Sequence, residues 1–130
     1  MPLPTPVFPD IEHLVVTFLD DAVAVTSRVL TKLPLKFTPP VVRVTRTSGA
    51  NRSIYVDRPI VDIDVFGDDY ADASELARVI QNLLLFTLRA TTTPDGTVQA
   101  VSTVIGPRWM PDVNPNLVRY GASYEIHVRT

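Results

Sequence analysis

The sequence contains no cysteine and lacks a strong charge of either sign. Without cysteine there is no disulfide framework, thiolate metal site or cysteine nucleophile. The 12 Lys and Arg residues nearly balance the 14 Asp and Glu residues, for a net charge of −2, so tight electrostatic binding of nucleic acid is disfavoured. No apolar run is long enough to span a bilayer. The N-terminal sequence also lacks the basic-then-apolar order of a signal peptide. We therefore expect no membrane association.

The chain is also poor in glycine and histidine. Its five glycines are scattered, so neither a phosphate-binding loop nor a dinucleotide fingerprint is present. The two histidines, His13 and His127, have no partner at metal-ligand spacing, and no nucleophile-elbow motif occurs. These absences predict a chain with no cofactor, no metal ion and no catalytic residue.

Proline, by contrast, is abundant. Four prolines fall within 2–9 and predict an extended, non-helical arm over 1–9. The full 130 residues fit a single domain over 1–130. A domain of this size buries roughly two thirds of the surface that its unfolded chain exposes, so it needs no disulfide or metal to fold.

Two segments have the apolar spacing of a helix. Asp10 is suited to cap a first helix that runs through about Asp21. A capping box at Asp72 and Glu75 predicts a second helix over about 73–89. Two alanines in it, Ala73 and Ala77, permit close packing, and its predicted buried stripe consists of Leu76, Ile80, Leu83, Leu84 and Leu88.

The remaining apolar segments predict strands. They cover 22–30, 41–47, 59–67, 97–105 and 120–130. The last of these alternates strictly, with Tyr120, Ala122, Tyr124, Ile126 and Val128 on one side. A proline-rich loop is predicted over 106–119. This order of elements favours an α+β fold, with a mainly antiparallel sheet of four to five strands and two helices on one face.

Asp62 and Asp64 are two residues apart on a predicted strand, so both point to the same face. Such a pair could hold a divalent metal or perform acid–base chemistry. The favoured interpretation is plainer: a solvated sheet face whose opposite side, Val61, Ile63 and Val65, is buried.

Two further groups have the composition of an interface. The first is an arginine cluster around the loop between the central strands, where guanidinium groups could bind a carboxylate-bearing partner or form a solvated rim. Its members are Arg43, Arg46, Arg52 and Arg58. The second is the loop sequence Arg108-Trp109-Met110. Trp109 could instead fold back as a lid on the core.

Several stretches resemble, in order and spacing, the tail terminator proteins of long-tailed phages, particularly actinobacterial siphophages. They are V-R-V-T-R-T-S-G at 42–49, D-R-P-I-V-D-I-D-V-F-G at 57–67, D-A-S-E-L-A-R at 72–78, G-P-R-W-M-P-D at 106–112 and R-Y-G-A-S-Y-E-I-H-V-R at 119–129. No single stretch is specific. The resemblance rests on their succession over nearly the whole chain.

The resemblance implies a structural virion protein, not an enzyme, that assembles in the host cytoplasm into a hexameric ring. Such a ring caps the head-proximal end of the tail tube, ends its polymerisation and offers the surface for head–tail joining. The implied partners are further copies of the chain, the major tail tube protein and a neck or head-completion protein. DNA passes through the lumen without specific binding.

Within such a ring, the arginine cluster, Arg108 and Trp109 are expected to contact neighbouring subunits or the tube. Asp62 and Asp64 could line the lumen and repel phosphates. Three alternatives stay open. The nearest is a head–tail connector or tail-completion ring protein of the neck. A more distant one is a small α+β metal- or ligand-binding domain with its site at Asp62 and Asp64, and the last is a monomeric interaction module.

Overall fold

The computed structural model describes residues 8–23, 28–31, 39–53, 55–94, 96–112 and 114–129. Most of the predicted arm therefore lies outside the described residues. The helices are α1 (Ile11–Val23) and α2 (Tyr70–Asn82), and α2 continues as a π-helical segment (Leu83–Leu88). The strands are β1 (Arg28–Leu30), β2 (Val41–Ser48), β3 (Val56–Asp57), β4 (Ile60–Gly67), β5 (Thr92–Thr93), β6 (Gly96–Met110) and β7 (Val118–Arg129). None of the helices in these ranges is long and apolar enough to cross a membrane.

The seven strands within the described ranges form one sheet in the order β1-β2-β4-β7-β6-β5, and β3 pairs with the end of β7. Only β1 and β2 are parallel, and every other pair is antiparallel. The α+β prediction is confirmed. Three strands of two or three residues raise the strand count above the four to five that were expected.

Side-chain alternation divides the sheet into an inner and an outer face. Val61, Ile63 and Val65 of β4 are buried on the inner face, as the sequence predicted. Tyr124 lies opposite Val61, and Ala122 lies opposite Ile63. Both helices contribute to the same core, through Ile11, Leu14, Val15 and Leu19 of α1 and through Ala73, Ala77, Ile80, Leu84 and Leu88 of α2 and its extension.

The first helix begins where the sequence predicted, but the second begins earlier. Asp10 Oδ1 accepts a hydrogen bond from the backbone nitrogen of His13 at 3.1 Å. For α2 the cap is Asp69, whose Oδ1 accepts from the backbone nitrogen of Asp72 at 2.8 Å, so the capping box assigned to Asp72 and Glu75 was wrong by one turn. The carboxylate of Asp69, directly before the first helical residue, supplies the cap. Ala73 of the first turn packs against the end of β4, where a Cβ at Gly67 would lie 3.1 Å from the Cβ of Ala73.

Two predicted strand boundaries were also wrong. The segment 22–30 does not begin as a strand, because α1 continues to Val23 and β1 covers only Arg28–Leu30, with 24–27 outside the described residues. The predicted loop after residue 105 instead begins with strand, since β6 runs to Met110. Bulges between Thr103 and Arg108 accommodate Gly106 and Pro107. Because β5 pairs only with Gly96 and Thr97, this later part of β6 lies at the edge of the sheet and tolerates a proline that donates no hydrogen bond.

Candidate functional site

The outer face of the sheet, directed away from the helices, carries a network of charged and hydroxyl side chains. Arg43 lies opposite Asp64 and Thr45 lies opposite Asp62 across β2 and β4. On the other side of β4, Gly121 lies opposite Asp64 and Ser123 lies opposite Asp62. The two aspartates therefore share one face, as their spacing predicted. We call Arg43, Thr45, Asp62, Asp64, Arg119 and Ser123 the outer-face network.

Asp64 is the centre of this network and is only 5% exposed. Its Oδ2 lies 2.7 Å from Arg43 Nη2 and 3.2 Å from Arg43 Nε. Its Oδ1 lies 3.0 Å from Arg119 Nη2 and 3.1 Å from Arg119 Nε. Two guanidinium groups thus neutralise one carboxylate. The expectation of a solvated Asp64 was wrong, because the two arginines cover it while compensating its charge.

Gly121 makes room for this arrangement. A Cβ atom there would lie 3.1 Å from Asp64 Oδ1 and would overlap Sδ of Met110. The absence of a side chain therefore lets β7 bring Arg119 beside the carboxylate of Asp64.

Asp62 is half-buried and held by hydroxyl groups. Its Oδ1 accepts a hydrogen bond from Ser123 Oγ at 2.6 Å and a longer one from Thr47 Oγ1 at 3.5 Å. An open groove of about 560 Å³ runs over this surface, lined by Thr31, Arg43, Thr45, Thr47, Asp62, Asp64 and Arg119. Among the described residues, no three His, Asp or Glu side chains are placed to hold a metal ion. The carboxylates of the groove are engaged by donors of the chain itself.

A second polar cluster lies on the same face, near the end of β7. Arg58 Nη2 donates to Glu125 Oε1 at 2.6 Å, and Arg58 Nε lies 3.0 Å from His127 Nε2. His127 Nε2 also lies 2.8 Å from Glu125 Oε1. The hydrogen bond from Arg58 and, to a smaller extent, that from His127 hold the pKa of the Glu125 carboxyl below its ordinary value.

Arg46, unlike the other predicted interface arginines, binds both a buried carboxylate and a backbone carbonyl oxygen. Its Nη1 and Nη2 donate to the two carboxylate oxygens of Asp57 at 2.8 and 3.2 Å. Asp57 is 2% exposed. Nη2 also donates to the carbonyl oxygen of Gly49 at 3.0 Å. Arg46 therefore ties together the connection from β2 to β3.

The predicted arginine cluster is consequently divided into three parts. Arg43 belongs to the outer-face network, whereas Arg46 and Arg58 are held in ion pairs near the opposite end of the sheet. Arg52 is exposed, and within the described part of the chain its side chain makes no hydrogen bond or ion pair. Of the four arginines in the cluster, Arg52 is the one whose guanidinium is available to another molecule.

Trp109 does not fold back over the core. It lies on β6, opposite Tyr120 of β7, and is 51% exposed. Its ring centroid is 6.5 Å from that of Tyr70, which is 58% exposed at the start of α2. The neighbouring Arg108 is also exposed. The structure therefore brings an exposed aromatic pair together from distant parts of the sequence.

Sequence reasoning missed Arg119, Asp57 and Tyr70 as members of these clusters. For Arg119 a signal was present, because strand alternation places it on the same face as Gly121 and Ser123. The positions of Asp57 and Tyr70 depend on the contact of β3 with β7 and on the start of α2, and neither could be located from the sequence.

The family model of the phage tail termination protein matches residues 7–130. Among solved structures, the chain is similar to one from the virion of the native gene transfer agent (GTA) particle, with a TM-score of 0.54, 11% identity and 92% of both chains covered. That similarity shows a shared fold. No curated protein has significant sequence similarity to the chain. The match over nearly the whole sequence shows that the chain belongs to the phage tail termination protein family and is a structural protein of the phage tail.

Proposed function

We propose that the chain forms a hexameric ring on the head-proximal end of the phage tail tube. There it ends polymerisation of the tube protein and provides the surface for head–tail joining. The observation that carries this proposal is the family match over residues 7–130. The proposed partners are further copies of the chain, the major tail tube protein and a neck or head-completion protein. Assembly takes place in the host cytoplasm before the ring becomes part of the virion.

The geometry of the outer face supports a structural role without catalysis. Both oxygens of Asp64 accept hydrogen bonds from arginines, and Asp62 accepts from two hydroxyl groups. A general acid or base needs an open hydrogen-bonding position toward a substrate. Arginines occupy both carboxylate oxygens of Asp64, whereas the two hydroxyl groups both bind Oδ1 of Asp62. A metal or ligand site at this pair would therefore depend on Asp62 alone.

The proposal that Asp62 and Asp64 line the lumen stays a prediction, and its electrostatic basis has changed. With Asp64 neutralised by Arg43 and Arg119, this region of the outer-face network has no net negative charge. A lumen lined by this face would avoid DNA through balanced charge and not through a bare acidic wall.

The test begins with native mass spectrometry of the purified chain over a concentration range, with and without magnesium, and negative-stain electron microscopy of the same sample. We expect a closed six-subunit ring with a central hole, unaffected by magnesium. The chain is then mixed with purified tail tubes and, separately, with tail-free heads. Binding to one end of the tube and arrest of tube growth support the terminator role. Binding to heads alone would favour the connector alternative, and a monomer that binds neither would contradict the proposal.

A further inference from the structure

Exposed carboxylates cluster at the end of β4 where α2 begins. β4 ends at Gly67, and the loop and helix start that follow it carry Asp68, Asp69 and Asp72, all exposed. Crowding by Asp69, above all, raises the pKa of Asp72, with smaller contributions from Glu75 and Asp68. These carboxylates repel one another, and a cation from outside would relieve the repulsion.

The exposed aromatic pair lies at this same end of the sheet. Tyr70 follows Asp69 directly, and Trp109 lies near the end of β6. Two large half-exposed rings lie beside carboxylates that form no ion pair within the described ranges, and this composition is typical of a docking surface. We call Asp68, Asp69, Tyr70, Asp72 and Trp109 the acidic aromatic patch.

The opposite end of the sheet presents a basic loop, Asn51, Arg52, Ser53 and Tyr55. The backbone nitrogen of Arg52 donates to the carbonyl oxygen of Val56 at 2.8 Å, and that of Tyr55 donates to Ser53 Oγ at 3.2 Å. These hydrogen bonds hold the backbone of Arg52 and Tyr55, while Tyr55 is 56% exposed and Arg52 extends into solvent. A preformed loop loses less conformational entropy when a partner docks on it.

We propose that the acidic aromatic patch of one copy docks on the basic loop of a second copy of this chain. The two surfaces are complementary in charge, and each carries exposed aromatic side chains. They lie at opposite ends of β4, whose eight residues extend roughly 26 Å at about 3.3 Å per residue. Each copy therefore uses two different surfaces, and a contact of this heterologous kind generates a ring when the rotation between neighbours closes.

This inference rests on the proposed ring and specifies the residues through which its copies meet. The acidic patch is unsuited to nucleic acid because it would repel phosphates. Arg52, in turn, is the arginine of the predicted cluster that no carboxylate of the described chain already holds. A second copy of the chain offers a cation to the acidic aromatic patch and carboxylates to Arg52.

Charge reversal tests the contact directly. Asp68→Lys reverses the patch without touching the cap formed by Asp69, and Arg52→Glu reverses the loop. We expect each variant to need at least a tenfold higher concentration for half-maximal assembly in native mass spectrometry. Matched controls are Asp21→Lys at the end of α1 and Arg78→Glu on α2, which reverse exposed charges outside both surfaces and should assemble like the parent chain.

Mixing the two reversed variants provides the decisive measurement. In a ring where the two variants alternate, the altered patch of Asp68→Lys meets the altered loop of Arg52→Glu. The unaltered patch of Arg52→Glu meets the unaltered loop of Asp68→Lys, so assembly should return. The double variant Asp68→Lys/Arg52→Glu should assemble alone for the same reason. Recovery in both cases would establish a direct contact between copies. No recovery, or single variants that assemble normally, would overturn the proposal.

The chain has a single tryptophan, Trp109, which makes its fluorescence a report on the patch. Docking should shift its emission to shorter wavelength as the parent chain is concentrated, and Arg52→Glu should abolish this shift. Urea denaturation checks that each variant is folded. If the variants form rings but no longer bind tube ends, the surfaces contact the tube and this inference is wrong. If the parent chain forms no ring even with tubes present, the proposed function itself fails.

Discussion

Arg119 Nη2 lies 3.0 Å from Asp64 Oδ1, although the two residues are 55 positions apart in the sequence. The contact joins β7 to β4 on the outer face, and Arg43 binds the other carboxylate oxygen from β2. Three strands are therefore connected through a single side chain that is 5% exposed. Its removal should affect the whole sheet.

Replacement of Asp64 by asparagine should lower the free energy of unfolding by about 3 kcal/mol, because two poorly solvated guanidinium groups would lose their counter-charge. Asp62→Asn on the same strand is the matched control. It keeps acceptors for Ser123 and Thr47 and should cost about 1 kcal/mol or less. Urea denaturation at pH 7 measures both values, and equal losses would show that Asp64 does not have the central role assigned to it.

Arg46 and Arg52 should respond very differently to truncation. Arg46→Ala leaves Asp57, which is 2% exposed, without its ion-pair partner and should cost about 3 kcal/mol of stability. Arg52→Ala removes an exposed side chain and should change stability by less than about 0.5 kcal/mol. Thermal or urea denaturation distinguishes the two. Arg46 is consequently a poor probe of assembly, since its reversal would impair folding before any interface is tested.

The hydroxyl of Tyr124 is buried in the core and has no hydrogen-bond partner among the described residues. Tyr124→Phe should therefore raise stability by about 1 kcal/mol, because it removes an unpaired polar group while keeping the ring. Burial also raises the pKa of Tyr124 above its ordinary value. A raised folded-state pKa means that stability is lost as the pH rises above about 10, where the unfolded tyrosine ionises. The phenylalanine variant should lack this alkaline loss, and a destabilised variant would indicate a hidden partner for the hydroxyl.

Glu125 should contribute an acid-sensitive part of the stability. Its folded-state pKa is lowered, first by the hydrogen bond from Arg58 and then by that from His127. The contribution is therefore present above the unfolded value of about 4.3 and is lost as the pH falls through the folded value. Glu125→Gln should be less stable than the parent at pH 7, and the difference should shrink toward pH 3. A difference that stays constant with pH would assign the loss to packing instead.

The periodic patterns in the sequence correctly predicted which faces of the main strands and of the first helix are buried. Alternation identified the buried faces of β4 and β7, and helical spacing identified α1, because burial of one apolar face determines each of these patterns. Tertiary contacts decided the boundaries that were missed. α2 begins at Tyr70, where Asp69 caps it and Ala73 packs against Gly67, and β6 extends to Met110 because bulges absorb Gly106 and Pro107.

The outer face was less predictable, since charges at single positions do not reveal their partners. Asp62 and Asp64 were placed on one face correctly, but the burial of Asp64 depends on Arg119 from a strand that is distant in sequence. The arginine cluster looked uniform in sequence. Arg43 and Arg46 are three residues apart on β2 and therefore point to opposite faces. The register of β2 with β4 then places Arg43 beside Asp64, whereas Arg46 binds Asp57 of β3.

Strand β7 joins three other strands of the sheet. β7 pairs with β3, β4 and β6, so the earlier pair of β2 and β4 remains an open half-sheet until residues 118–129 have left the ribosome. A nascent chain that stalls before this point carries an unpaired edge on β4 and lacks Arg119, and such a chain is a substrate for chaperones and proteases. Closure of the sheet therefore depends on the pairing of β7 with β4 and β6.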